Sequence, residues 1–194
     1  MGSVRRLAYR YLDDLIRLDP LLATELGRPT GQTELPDVSP AGVEAKSALA
    51  QRTLAELGTL IDDDELDRSC RALMEDRLGL VIAQFDAGEH LRPLSVIAGV
   101  PAALQGTFDL MAMETPDDWA TIGTRIGAMP AALHGLQQSL EAGIRRGVLA
   151  APRQALATAD QLSTWAGDSG TTPLFTALAE RAPDALLSLI HISE

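Results

Sequence analysis

Residues 62–90 read DDDELDRSCRALMEDRLGLVIAQFDAGEH, and this stretch decides the fold class. Leu66, Cys70, Leu73, Leu78, Val81, Ile82 and Phe85 recur at helical spacing, and no proline interrupts them. Acidic residues suit the opening turn, where unpaired backbone N–H groups and the helix dipole favour negative charge. The pattern predicts one long helix from Glu65 to about His90.

The same punctuation recurs outward from it in both directions. Leu7, Tyr11, Leu12, Leu15 and Ile16 share a helix face that should end near Asp19-Pro20. Pro20 can open a short helix, Leu21 to Leu26, closed by Gly27, and a loop rich in Gly, Pro and Thr follows from Arg28 to Val38. Ser39-Pro40 reads as an N-cap and first-turn proline for a helix running towards Leu60. On the other side, Pro93 breaks the pattern and Pro101 opens a helix through Leu110. Thr115-Pro116-Asp117-Asp118 is a cap, a first-turn proline and two acids. Helices opening at Pro130 and Pro152 follow, separated by Gly143 and Gly147, and Pro173 and Pro183 mark two more starts. No period-2 run demands a strand and no internal repeat is present, so the expectation is an all-α, multi-helix array.

Composition narrows the function classes. Of 194 residues 46% are hydrophobic, enough for a packed core, while only 4% are aromatic. Lys and Arg number 16 against 27 Asp and Glu, a formal charge of -11 that repels phosphate backbones and anionic lipid. Neither nucleic acid nor a membrane surface is an expected partner. The two arginines after Val4 lead into an amphipathic run and not an apolar core, so the start is no secretory signal. Arg6 stands where a myristoylation signal needs Ser or Thr, and no stretch approaches the length of a membrane span. A cytoplasmic location is the default. Cys70, the only cysteine, excludes an internal disulfide and a Cys-based zinc cluster. It shares a face with Leu66 and Leu73, which predicts a buried structural thiol.

Candidate chemistry is sparse. A helical zinc hydrolase needs two histidines at i and i+4 with a glutamate between them. His90, His134 and His191 do not have that spacing. Glu89 and His90 are adjacent and read as a solvated helix end, and His134 as an ordinary surface or core histidine. Asp63-Asp64-Glu65-Leu66-Asp67 matches the spacing of the Asp-rich magnesium motif of isoprenoid synthases. Its position at a helix start, with no second acidic motif, favours a capping role. Gly99, Gly106 and Gly123 are isolated and form no phosphate loop, and Trp119 and Trp165 are spaced like helix-packing residues. No catalytic, cofactor-binding or metal residue is assigned.

Several stretches, taken in order, resemble the bacterial domain-of-unknown-function 885 family. They are Asp19-Pro20-Leu21-Leu22-Ala23-Thr24-Glu25-Leu26-Gly27, Leu35-Pro36-Asp37-Val38-Ser39-Pro40 and Leu94-Ser95-Val96-Ile97-Ala98-Gly99-Val100-Pro101. Phe108-Asp109-Leu110-Met111, Trp119, Pro130, Ser139-Leu140, Gly147 and Ala151-Pro152-Arg153-Gln154 continue the order. The resemblance implies the N-terminal portion of a larger helical, zinc metallopeptidase-like fold, whose His-Glu-x-x-Pro-Gly-His type motif belongs to a C-terminal half. That motif is missing here, so the expected cofactor, zinc, and a peptide-like substrate belong to the parent protein. This chain's expected partner is the missing C-terminal half. The alternative is a free-standing helical binding or scaffold domain.

Leu187-Ser188-Leu189-Ile190-His191-Ile192-Ser193-Glu194 looks like the translation of a common transposase-based sequencing adapter. On that reading residues 1–186 are the N-terminal helical part of a larger domain and residues 187–194 a scar. The apolar faces of Leu174, Phe175, Leu178 and Leu186 are then expected to lack partners within the chain.

Overall fold

The computed structural model describes residues 2–182. The helices are α1 (Ser3–Leu18), α2 (Pro20–Glu25), α3 (Pro40–Leu57), α4 (Glu65–Asp86), α5 (Val100–Gly106), α6 (Pro116–Gly127), α7 (Met129–Arg146), α8 (Pro152–Ala166) and α9 (Leu174–Ala179). Two 3₁₀ turns, Glu89–Leu91 and Thr107–Leu110, lie between them. Among the described residues there is no strand, and the chain is all-α. Prolines occupy the first turn of α2, α3, α5, α6, α7 and α8, where the missing N–H breaks no helical bond. Thr115 and Asp118 form a reciprocal capping box at the start of α6. The start expected at Pro173 is α9; that expected at Pro183 lies outside the described residues, as does the 187–194 segment.

Two apolar clusters hold the helices. Val4 and Leu7 of α1, Ala50 and Leu57 of α3, and Met74 and Leu78 of α4 form the first. The second joins Leu21, Leu104, Phe108, Trp119, Ile122, Met129, Ala132, Leu178 and Ala182, contributed by α2, α5, α6, α7 and α9 with their flanking turns. Small residues on α7 bind the halves together. Ser139 Oγ donates to the Val38 carbonyl at 2.8 Å, just before α3. A Cβ on Gly135 would stand 3.0 Å from the Ser39 nitrogen, so the chain entering α3 lies directly on the α7 backbone.

Four expectations need correction. Gly143 does not separate helices: it lies inside α7, which runs on to Gly147 at φ +70°. Space explains this, because a Cβ at Gly143 would meet the carbonyl oxygens of Leu91 and Val148 at 2.5 and 2.7 Å. Leu66 and Leu73 face outward, 62% and 58% exposed, while Asp67, Met74 and Leu78 form the inner face of α4. Cys70 is accordingly half-buried at the edge of that face, its thiol pushed up by burial and by Asp67. The long helix ends at Asp86, because Gly88 at φ +74° turns the chain into the first 3₁₀ turn. Finally, Leu178 is buried, and Phe175 packs edge-on against Phe108 at 5.4 Å, so α9 has partners within the chain. Leu186 lies outside the described residues.

Candidate functional site

The acidic run 62–67 is the densest cluster of chemistry-bearing side chains that the sequence offers, and the fold consumes it. Asp64 caps α4 by accepting from the Asp67 amide at 2.8 Å. Asp63 Oδ2 accepts from the Ser3 amide at 2.7 Å, and Asp67 Oδ2 from the Val4 amide at 3.4 Å. These are opening N–H groups of α1, whose own cap residue, Gly2, offers no side chain. Arg5 Nε donates to Asp67 Oδ1 at 2.7 Å and its Nη2 reaches Asp64. Gly2 is required in turn, since any Cβ there would strike the Asp67 carboxylate. Asp62 takes Arg71 Nε at 2.7 Å, and Arg71 spends its other nitrogens on the Leu57 and Leu60 carbonyls at 2.8 and 2.9 Å. One acidic turn thus fastens the start of α1, the end of α3 and the start of α4.

Hydrogen bonding sets the charge state of this turn. The Asp67 amide and the Arg5 guanidinium hold the Asp64 carboxyl below its ordinary range. For Asp67 burial is the largest single effect and pushes the pKa upward. Bonds from the Asp63 amide, Arg5 and the Val4 amide together outweigh it, so Asp67 also lies below its ordinary range. All five carboxylates of the run, including Glu65 through Arg68, accept from donors of the protein itself.

The histidines stand apart. His90 is half-buried and not a solvated end: its ring stacks on Phe85 at 4.6 Å, and its Nδ1 is buried without a partner. Burial, and then the positive charge of Arg146, lower its pKa. Glu89 is exposed and paired with Arg92. His134 is exposed on α7, its Nε2 3.1 Å from Gln138 Nε2. Among the described residues no group of three or more His, Cys, Asp or Glu could hold a metal ion. His191 lies outside the described residues.

Sequence reasoning missed Arg125. It falls one turn after Ile122 on the inner face of α6 and is fully buried. Its Nη1 donates to Thr24 Oγ1 at 2.9 Å and Thr107 Oγ1 at 3.0 Å, and its Nη2 to the Gly31 carbonyl at 2.7 Å. Its Nε has no partner. No carboxylate among the described residues pairs with it, and burial lowers its pKa, opposed by the charge of Glu34. The signal was available, because an arginine at a core position of an amphipathic helix is unusual.

A family model described as a bacterial protein of unknown function (DUF885) matches residues 20–190. The chain belongs to that family. No curated protein matches it. In this DUF885 chain, Trp119 is a core residue whose indole donates to the Met113 carbonyl at 3.1 Å. Trp165 is half-buried and, with Met129, Leu133, Leu162 and Phe175, lines an apolar cavity of about 210 Å³. Among the described residues of this family member, no helix is long and apolar enough to cross a membrane.

Proposed function

We propose that this chain is the non-catalytic helical part of a zinc-dependent, peptidase-like hydrolase, whose helices pack against a catalytic portion carried elsewhere in the protein and wall its substrate cleft. A cytoplasmic location belongs to the same proposal. One observation carries it beyond the family likeness. Leu66, Leu73 and Leu80 stand 62%, 58% and 47% exposed on the outside of α4. Residues seven apart share a helix face, so the three form a stripe roughly 21 Å long at 1.5 Å per residue. Exposed leucines scattered singly need no explanation, but a row of them on one face suits a protein partner. The acidic turn is committed to holding α1, α3 and α4, and the histidines are separated. Supply of the metal and its ligands therefore falls to the other portion.

The experiment is co-expression of this chain with the downstream portion of the natural reading frame. The two should co-purify as a complex that holds zinc and cleaves peptides. Leu73→Asp with Leu80→Asp, both at exposed positions, should dissociate the complex and leave the isolated chain folded. A downstream sequence without a His-Glu-x-x-Pro-Gly-His type motif, or a complex indifferent to the two aspartates, would leave the free-standing helical domain as the better account.

A further inference from the structure

The hairpin of α8 and α9 brings aromatic rings to the core without closing fully on it. Phe175 is fixed by its edge-on contact with Phe108, with 5.4 Å between ring centroids. Gly167, at φ +88°, ends α8 and turns the chain back, and a Cβ there would stand 2.9 Å from the Pro173 ring. Thr171 Oγ1 donates to the Thr164 carbonyl at 3.1 Å and Ser163 Oγ to Asp168 Oδ2 at 3.0 Å, which pins the turn. Trp165 and Ala166 thereby join Leu174 and Phe175 in the wall of one cavity of about 210 Å³.

The helices opposite complete the enclosure, with Pro101 and Gln105 from α5 and Met129 and Leu133 from α7. Gln105 is the one polar side chain among the described residues that line it, and its Nε2 is turned to Asp109 Oδ2 at 3.4 Å. A water settles in a cavity only with about two to four polar partners, so this space suits an apolar guest. A cavity of about 150 Å³ lined by Leu, Ile and Phe takes up benzene, and the larger volume here suits a pair of fused rings. Trp165 and Phe175 supply rings and Met129 a polarizable sulfur, partners that favour an aromatic guest over an aliphatic one of equal size. Leu133, Leu162, Trp165 and Phe175 are each half-buried, and a guest would cover part of the apolar surface they still show. We propose that the cavity between α5, α7, α8 and α9 is a binding site for a flat, uncharged aromatic group of about the size of indole. The guest enters past Ala166, an exposed residue of the wall, where the cavity is open to solvent. A free small molecule and an aromatic side chain of a peptide share this chemistry. The site needs no catalytic partner, so it stands or falls separately from any peptidase role.

Indole titrated into the 194-residue chain, labelled at its leucine and methionine methyl groups, tests the site by NMR. Ring currents should shift the methyl resonances of Met129, Leu133 and Leu162 saturably, while those of Met74 and Leu78 in the first apolar cluster stay in place. Ala166→Leu narrows the mouth at an exposed helical position and should weaken indole binding severalfold while leaving the fold intact. Binding of N-acetyltryptophanamide as tightly as indole would identify a peptide side chain as the guest. Binding of indole alone would identify a free small molecule. Shifts that rise without saturating would overturn the proposal, as would Met74 and Leu78 methyl groups that move as far as those of the cavity. Unchanged indole affinity in a folded Ala166→Leu protein would overturn it too. The wild-type titration decides the matter even where Ala166→Leu fails to fold.

Discussion

Replacing Gly143 by alanine sets two effects of opposite sign against each other. In a helix interior alanine is favoured over glycine by about 1 kcal/mol, so α7 considered alone should gain from the change. In the fold the new methyl carbon would lie 2.5 Å from the Leu91 carbonyl oxygen and 2.7 Å from that of Val148. Both are backbone atoms, so neither can swing aside as a side chain would. Overpacking of this kind costs about 1–3 kcal/mol, and contact on two sides points to the upper end. Subtracting the propensity gain leaves a net loss of about 2 kcal/mol. At about 2–4 °C per kcal/mol for a chain of this size, Tm should fall by roughly 4–8 °C. Gly79→Ala, in α4 with open space around the position, is the control, and should raise Tm by roughly 2–4 °C. Thermal unfolding followed by far-ultraviolet circular dichroism reads both. If Gly143→Ala stabilises the protein as Gly79→Ala does, the close approach of Leu91 and Val148 to α7 is wrong.

The clasp at the start of α1 should weaken in acid. Asp64 and Asp67 have folded-state pKa values below their ordinary ones, so their stabilisation is complete above the unfolded value of about 4 and is lost as pH falls below it. Tm measured between roughly pH 5 and pH 2 should decline more steeply for the wild type than for Asp67→Asn, and parallel slopes would contradict the clasp. Thr115→Ala removes one half of the α6 capping box and should cost about 1 kcal/mol, read by urea unfolding; no change would mean that the box contributes nothing. Calorimetric titration with Mg²⁺ and a prenyl diphosphate should give no saturable signal. Binding abolished by Asp63→Ala with Asp64→Ala would restore the isoprenoid-synthase reading.

Local chemistry was legible in the sequence, and long-range contact was not. The first-turn prolines and the Thr115 and Asp64 caps act within a few residues of themselves, and each helix start they announce among the described residues is present. The second role of the acidic turn depends on Ser3, Val4 and Arg5, some sixty residues away in the chain, and no pattern along α4 reveals it. The inner face of α4 was misassigned for a related reason. Leu66 and Leu73 looked like core because they are apolar, yet the buried face starts with a charged residue, Asp67, whose partner lies on α1. Gly143 looked like a breaker because glycine commonly ends helices. Here it is a site of backbone contact, which the paths of residues 88–91 and of Val148 explain. His90 is drawn inward by the same turn. Arg125 was visible in principle, since the spacing of Trp119 and Ile122 carries the buried face of α6 onto it.

The most direct test of the proposed role is metal analysis of the purified 194-residue chain after exhaustive dialysis, set beside a longer protein in which it is joined to the proposed catalytic portion. The account predicts no retained zinc in this chain and one zinc per molecule in the longer protein, since a catalytic zinc needs about three protein ligands and His90 and His134 stand on separate elements. One tightly held zinc in the 194-residue chain, lost on His90→Ala or His134→Ala, would contradict it.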